Sequence, residues 1–587
     1  MFQFPLTVVR WVLRFWWDPE TTVDDARPRA IRPGQARAVL ALVLAVIGAL
    51  HAMGYLHLTC WTPKFHTPWG VGVLLAGFFA LVLAQEAWPA ARARLWLWGS
   101  LALSAVLLPA ATALTVAVLI PYALVMRSGA PRWAKWATLF ALHLAVMALW
   151  HFRWFPAVVF SPVWGPAGLI FAFFVPLRLL WFHHQAVRDG APPVTVAEVF
   201  TYFFTLPAVI LIPYMFALPR REHLNLDAPP DPELTARGTR YLVAGVLFAL
   251  SYHALEPAIL WAAAATGQKW LIIPWVYPME PVFWALSSSY ILTGLYNRMG
   301  APVTLAFRSP LVSYSVLEWW RRWNVHFRDL LVDIFFYPLV LGRRSHPILR
   351  LWIGAFGVFI VGSTVLHWAV KHYFMNNAIA PYWSMFVENG VMFVGVGVLL
   401  HLERVAMDRA TAARKAARAA GLPAPKPSVT PAWRRALGVP LTYLVVFSSV
   451  IGGYASNLIV EGTVVDRPTL VLRHAQALAE AGQARDAAYF RERAREDFLR
   501  AVAPHDDLTS PWRIKERHAA VKLILLELSD DPAAALGDER MARISVLLGK
   551  LGWDAALARE PVALGARCAD ELTRYRGFSG LARLREI

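Results

Sequence analysis

Two stretches of this chain carry residue types that could do chemistry. The first is Glu318-Trp-Trp-Arg-Arg-Trp-Asn-Val-His-Phe-Arg-Asp-Leu-Leu-Val-Asp-Ile-Phe-Phe-Tyr-Pro-Leu339. It is too charged for hydrocarbon and too aromatic for an ordinary solvated loop. Tryptophan interleaved with arginine favours a headgroup boundary, where the indole offers an apolar body and a polar N–H. The second is Phe359-Ile-Val-Gly-Ser-Thr-Val-Leu-His-Trp-Ala-Val370, which places His367 late in an apolar run. An imidazole exchanges its proton near neutral pH, and an ionisable group within a membrane run points to function. Plainer readings stand beside both. The first segment also reads as a juxtamembrane anchor helix. His367 is one of 17 histidines, and His51, His143 and His253 also sit in apolar runs. His253 and Glu256, three apart on one helical face, read as a relay or as packing partners. His183 and His184 are expected at an interface, and His326 in solvent. Cys60 and Cys568 are far apart and form no ligand pattern, so no metal site is expected.

The elements that must position these residues are apolar. Of 587 residues 57% are hydrophobic and only 16% charged, against roughly half and a quarter in soluble domains. That composition excludes a disordered, collagenous or disulfide-stapled protein and implies a second apolar solvent. The formal charge of +18 does not imply nucleic acid. Beyond residue 460 about twenty basic residues meet about twenty acidic ones, so the excess lies on loops beside apolar spans, as the positive-inside rule and anionic lipid predict.

Residues 1–37 read as an interfacial segment, with Arg10 and Arg14 among Trp11, Phe15, Trp16 and Trp17. Those arginines interrupt the apolar run, so a cleaved secretory signal is not expected. Residues 38–460 carry about ten to twelve spans at roughly one bilayer thickness each. Leu95 to Met126 is too long for one span, and Pro109 and Pro121 divide it into two short helices or one broken helix. Arg404 to Arg435 is strongly basic and marks the cytoplasmic side. Residues 461–587 have helical periodicity with a stop at Gly482 and read as a small soluble helical domain; a tetratricopeptide unit would need about three copies, and one is found. The expected fold is an all-α polytopic membrane protein.

Taken together, the two chemical stretches resemble the membrane-bound O-acyltransferase (MBOAT) family. Trp320-Arg321-Arg322-Trp323-Asn324, closed by Tyr337-Pro338-Leu339, is similar to its W-R-R-W-[HN] segment and aromatic-P-L element. Gly362-Ser363 followed by His367 looks like its histidine helix, and Ala306-Phe307-Arg308-Ser309-Pro310 looks like its lead-in. The likeness covers about residues 165–372. Asn324 looks more like the sterol and diacylglycerol branch than the bacterial polysaccharide acylators, which carry histidine there. Val332 stands where the family often has an arginine before Asp333.

The resemblance implies transfer of an acyl group from a thioester to a hydroxyl, inside an MBOAT-like bundle in a multi-pass, bacterial cytoplasmic membrane protein. His367 would be the general base, and Asn324 would orient the acceptor or donate to the oxyanion. Trp320, Arg321, Arg322, Trp323 and Asp333 would contact substrate, the two arginines meeting the phosphates of a coenzyme A donor or anchoring lipid headgroups. Glu318 and Asp333 could simply neutralise those arginines. No bound cofactor is implied; acyl-CoA or an acyl carrier protein thioester would be co-substrate. The partners implied are membrane lipids, a lipid or cell-surface glycan acceptor, and an accessory protein on the C-terminal domain. The competing reading is a non-catalytic or transport-type scaffold acting with that domain.

Overall fold

A computed structural model describes residues 33–52, 68–107, 109–151, 160–161, 165–166, 178–188, 190–204, 219–224, 226, 229–266, 279–340, 346–366, 383–420, 423, 431–461, 467–480, 482–503, 505–509, 514–529 and 538–573. Of the sequence readings, the interfacial segment up to residue 32 and His367 itself lie outside them, as do the side chains of His253 and Glu256. The described chain is helical. Its only strands are Phe160–Ser161 and Gly165–Pro166, which pair antiparallel.

Two compact units result. The first comprises residues 1–363 and 392–447, the second 364–391 and 448–587. The first opens with α1 (Pro33–Ala52), α2 (Pro68–Ala87), α3 (Arg92–Leu107), α4 (Pro109–Arg127) and α5 (Arg132–His151). Next come α6 over residues 178–186, α7 (Val196–Phe204), α8 (Pro232–Thr266) and α9 (Met279–Arg298). Proline occupies the first position of α1, α2, α4 and α8, where its missing N–H has no intrahelical acceptor to lose. The stretch from Leu95 to Met126 is therefore two helices, with Pro121 carried inside the second.

Among the described residues three helices are long and apolar enough to cross a membrane: windows at Gly70–Ala87, Pro347–Thr364 and Phe386–Ala419. Gly34–Leu50 and Thr112–Arg127 are shorter apolar helices. Leu42, Leu124, Phe140, Leu144, Leu441 and Leu444 are each more than half exposed. So much outward apolar surface suits a hydrocarbon solvent better than water.

The scaffold under the candidate site is the α8–α9 pair. Gly238 and Gly245 on α8 face Gly294 and Ser287 on α9, so closely that a Cβ at Gly245 would lie 2.9 Å from the Ser287 carbonyl oxygen. Small residues allow such backbone approach, which suits helices packing in lipid. Ser287 Oγ donates to the Gly245 carbonyl at 2.7 Å. The C-terminal end of α9 is held by buried Arg92, whose Nη2 and Nε donate to the Met299 carbonyl at 2.6 and 3.1 Å. Cations suit helix C-termini. Burial pulls the Arg92 guanidinium down to about 10.

In the second unit α16 (Arg467–Glu480) and α17 (Ala484–Val502) form a hairpin around Gly482, which has φ +75°. Between α9 and α16, residues 316–461 supply the helices α10 to α15. Helices α18 (Ile514–Ser529), α19 (Asp538–Leu551) and α20 (Pro561–Thr573) complete the second unit. Phe490, Phe498, Ile524, Leu548 and Leu564 are buried there. Glu527, 2% exposed, lies 3.3 Å from Arg495, 3.3 Å from Arg543 and 3.6 Å from Arg540.

Candidate functional site

Residues 301–308 form an extended lead-in pinned to the chain on either side. The Ala306 N–H donates to Ser289 Oγ of α9 at 3.1 Å, the Ala306 carbonyl accepts from Val325 N–H at 2.7 Å, and Arg308 N–H donates to the Arg322 carbonyl at 2.9 Å. The Trp-Arg-Arg-Trp element is thereby fixed to the α8–α9 scaffold. It folds as α10 (Val316–Arg322), started by Ser315, whose Oγ accepts from Glu318 N–H at 3.1 Å. Glu318 reaches back past the cap to accept from Tyr314 N–H at 3.1 Å, a capping box shifted by one residue.

The four residues of the element point to four places. Trp319 stacks on Trp323 at 5.2 Å, and Trp323 meets Phe307 edge-on at 4.5 Å. Trp320 packs on Phe359 at 5.2 Å. Arg321 reaches Glu403 with both terminal nitrogens, at 3.0 and 2.7 Å. Arg322 pairs with Glu318 at 2.8 Å. Glu318 thus neutralises one arginine of the element, but Asp333 neutralises neither. Asp333 instead stands 3.7 Å from His184 Nε2 and 3.8 Å from Arg188.

Asn324 has φ +46°, the left-handed region that asparagine tolerates better than most residues. Its Oδ1 accepts from Phe327 N–H at 3.3 Å and starts α11 (Val325–Leu331). His326, expected in solvent, is buried, and its Nε2 lies 3.2 Å from Thr304 Oγ1. Burial, with His223, Arg220 and Arg328 nearby, pushes its imidazole down to about 3, so it is neutral. His183 is likewise buried rather than interfacial: its Nδ1 is 3.1 Å from Tyr122 Oη and its ring meets Trp136 edge-on. Neither burial was readable from sequence, because the covering residues come from distant segments.

Beyond α11 the chain makes a π-helical turn over Val332–Phe336, which carries Asp333, and closes with α12 (Tyr337–Val340). The helix leading to His367 begins as α13 (Pro347–Phe356) and widens to π-helical bonding over Gly357–Leu366. Single π turns recur at functional sites. Three glycines let these strips approach. A Cβ at Gly354 would lie 2.8 Å from Phe336, one at Gly357 3.3 Å from Phe335, and one at Gly362 2.7 Å from Leu331. Val316, Leu317, Leu331, Val358, Phe359 and Val396 form one buried core there. Val396 comes from α14 (Trp383–Ala419), which also supplies Glu403. Tyr443 of α15 (Ala432–Glu461) donates to the Leu311 carbonyl at 2.8 Å and meets Trp319 edge-on. So the Trp-Arg-Arg-Trp segment and the helix approaching His367 are packed neighbours.

A cleft of 820 Å³ opens beside Asp333, lined by residues of α3, α6, α7 and the chain around Arg220–Leu226. Its lining is scattered over residues 93–333, so no local motif announces it. Among the described residues no group of three His, Cys, Asp or Glu side chains is placed to hold a metal ion. Neither protein-family models nor curated proteins give a match to the chain.

Proposed function

We propose that this protein is a membrane-embedded O-acyltransferase that moves an acyl group from a thioester to a hydroxyl of a lipid or cell-surface glycan. The observation that carries this reading is the packing of the Trp-Arg-Arg-Trp segment against the helix that leads to His367, through Trp320 on Phe359 and Leu331 on Gly362. Segments 40 residues apart gain nothing chemically unless they meet, and the contacts of Phe359 and Gly362 support such a meeting. His367 takes the acceptor's proton and returns one to the departing thiolate. The carbonyl carbon gains the alcohol oxygen and loses the thiolate sulfur, so a thioester becomes an ester and a free thiol.

Asn324 keeps its amide nitrogen for the acceptor or the oxyanion while its oxygen caps α11. Arg321 and Glu403 are each about half exposed, 48% and 47%. Such a pair contributes at most about 1 kcal/mol, so the guanidinium can exchange Glu403 for a phosphate of an acyl-CoA. Arg322, tied to Glu318, orients α10. Trp320 and Trp323 shape the wall, and Asp333 fixes His184 and Arg188 behind it. The outward apolar side chains and the three long apolar helices suit a protein in a membrane.

The test is product analysis. Purified protein in lipid nanodiscs, given a radiolabelled acyl thioester with lipid and glycan extracts, is expected to place label in an alkali-labile ester. Label that stays in thioester, or that only crosses the membrane, would identify a scaffold or transporter instead.

A further inference from the structure

The cleft beside Asp333 has a composition of its own. Four arginines line it, Arg94, Arg188, Arg220 and Arg221, with three carboxylates, Glu198, Glu222 and Asp333. Arg221 is spent on structure: it holds Glu198 and donates to the Pro192 and Pro193 carbonyls at 2.9 and 3.0 Å. The other pairs are loose. Arg188 stands 3.8 Å from Asp333, and Arg220 stands 3.9 Å from both Glu222 and Asp329, the latter already held by Arg328. The two arginine side chains are 59% and 51% exposed. Arg94 is exposed and makes no ion pair among the described residues. Each carboxylate already has an arginine, and one guanidinium is left over.

Much of the remaining lining is apolar. Trp181, 2% exposed and stacked on His184, contributes its ring to the wall. Leu97, Leu224 and Leu226 supply apolar wall. The volume falls within the about 300–1,000 Å³ of small-molecule sites.

We infer that this cleft binds the phosphate group of an amphiphilic phosphomonoester, with Arg94, Arg188 and Arg220 on the phosphate, and the leucines and the Trp181 ring on the apolar part. Guanidinium forks match phosphate oxygens in geometry and charge. A cationic ligand is disfavoured, because every carboxylate it would need is already taken by an arginine. The cleft would serve a transporter as well as an enzyme, so the site does not depend on acyl transfer.

Isothermal titration of the full chain in detergent micelles tests this with two probes, glycerol 3-phosphate and dihexanoyl phosphatidic acid. Saturable binding of the short-chain lipid alone identifies a lipid headgroup as the source, and binding of both identifies the phosphate itself as sufficient. Arg94→Gln, Arg188→Gln and Arg220→Gln are each expected to weaken binding about ten-fold, the worth of one charge-assisted hydrogen bond. Arg127→Gln, on an exposed arginine of α4 outside the cleft lining, is expected to leave it unchanged. Should Arg188→Gln or Arg220→Gln misfold, Arg94→Gln alone decides, since it removes no ion pair. No saturable binding of either probe, wild-type affinity in the cleft variants, or an equal loss in Arg127→Gln would overturn the inference.

Discussion

Asn324 sits at φ +46° with its carboxamide oxygen on the Phe327 N–H, so its backbone position alone explains why asparagine is there. Cap and chemistry can be separated by Asn324→Gly. Glycine adopts the left-handed region freely and replaces a cap at a cost of only a few tenths of a kcal/mol. Stability is therefore expected to hold in a thermal melt, while turnover falls about 10²–10³-fold if the amide N–H stabilises the oxyanion. Unchanged turnover would leave Asn324 as a cap alone. The neighbouring His326 shows the limit of residue-scale reading. Apart from Arg328, its environment is made by Thr304, His223 and Arg220, none of which is near it in sequence.

At the scale of elements, the glycines of the helix approaching His367 decide how close it comes to the motif. Gly362→Leu would force a side chain into Leu331 and Phe335, 2.7 and 2.9 Å from where its Cβ would stand. Overpacking of this kind costs about 1–3 kcal/mol, so the variant is expected to melt earlier and to lose turnover together. Gly72→Leu, in α2 with open space around it, is the comparison and should do neither. Much of this layer was legible beforehand. The break before Pro109 and the stop at Gly482 are local signals, and each is realised. The π turns and the ion pair of Asp333 with His184 were not, because they follow from packing between segments and not from periodicity. Basic residues from Arg404 onward continue α14 as helix up to Ala419, since alanine, arginine and lysine are strong helix formers.

Across the whole molecule, buried neutral histidines set the response to acid. Burial, with Lys522 and Arg517 nearby, holds His518 of the second unit down to about 3, as the surroundings of His326 do in the first. An unfolded chain protonates these imidazoles near pH 6.5, whereas the folded chain does so only near pH 3. Protons therefore bind the unfolded state preferentially between those values, and stability falls as pH falls, by about 1.4 kcal/mol per pH unit for each imidazole. Melting of the full chain is expected at a lower temperature at pH 5 than at pH 7, with a smaller difference in His518→Gln. An equal difference in that variant would show that His518 does not contribute. Membrane character was legible from composition, and the described helices with their outward leucines and phenylalanine agree with it. The arginine-lined cleft was illegible, being assembled from four separate stretches.

Acyl transfer at His367 is tested most directly by thiol release. Purified wild-type protein in nanodiscs, supplied with an acyl thioester and lipid acceptor, is expected to liberate thiol continuously, detected by a chromogenic disulfide. His367→Ala, folded as judged by its melt, is expected to lose at least about 10²-fold of that rate, the lower end of what a general base supplies. Thiol release at the wild-type rate from the His367→Ala protein would contradict the account.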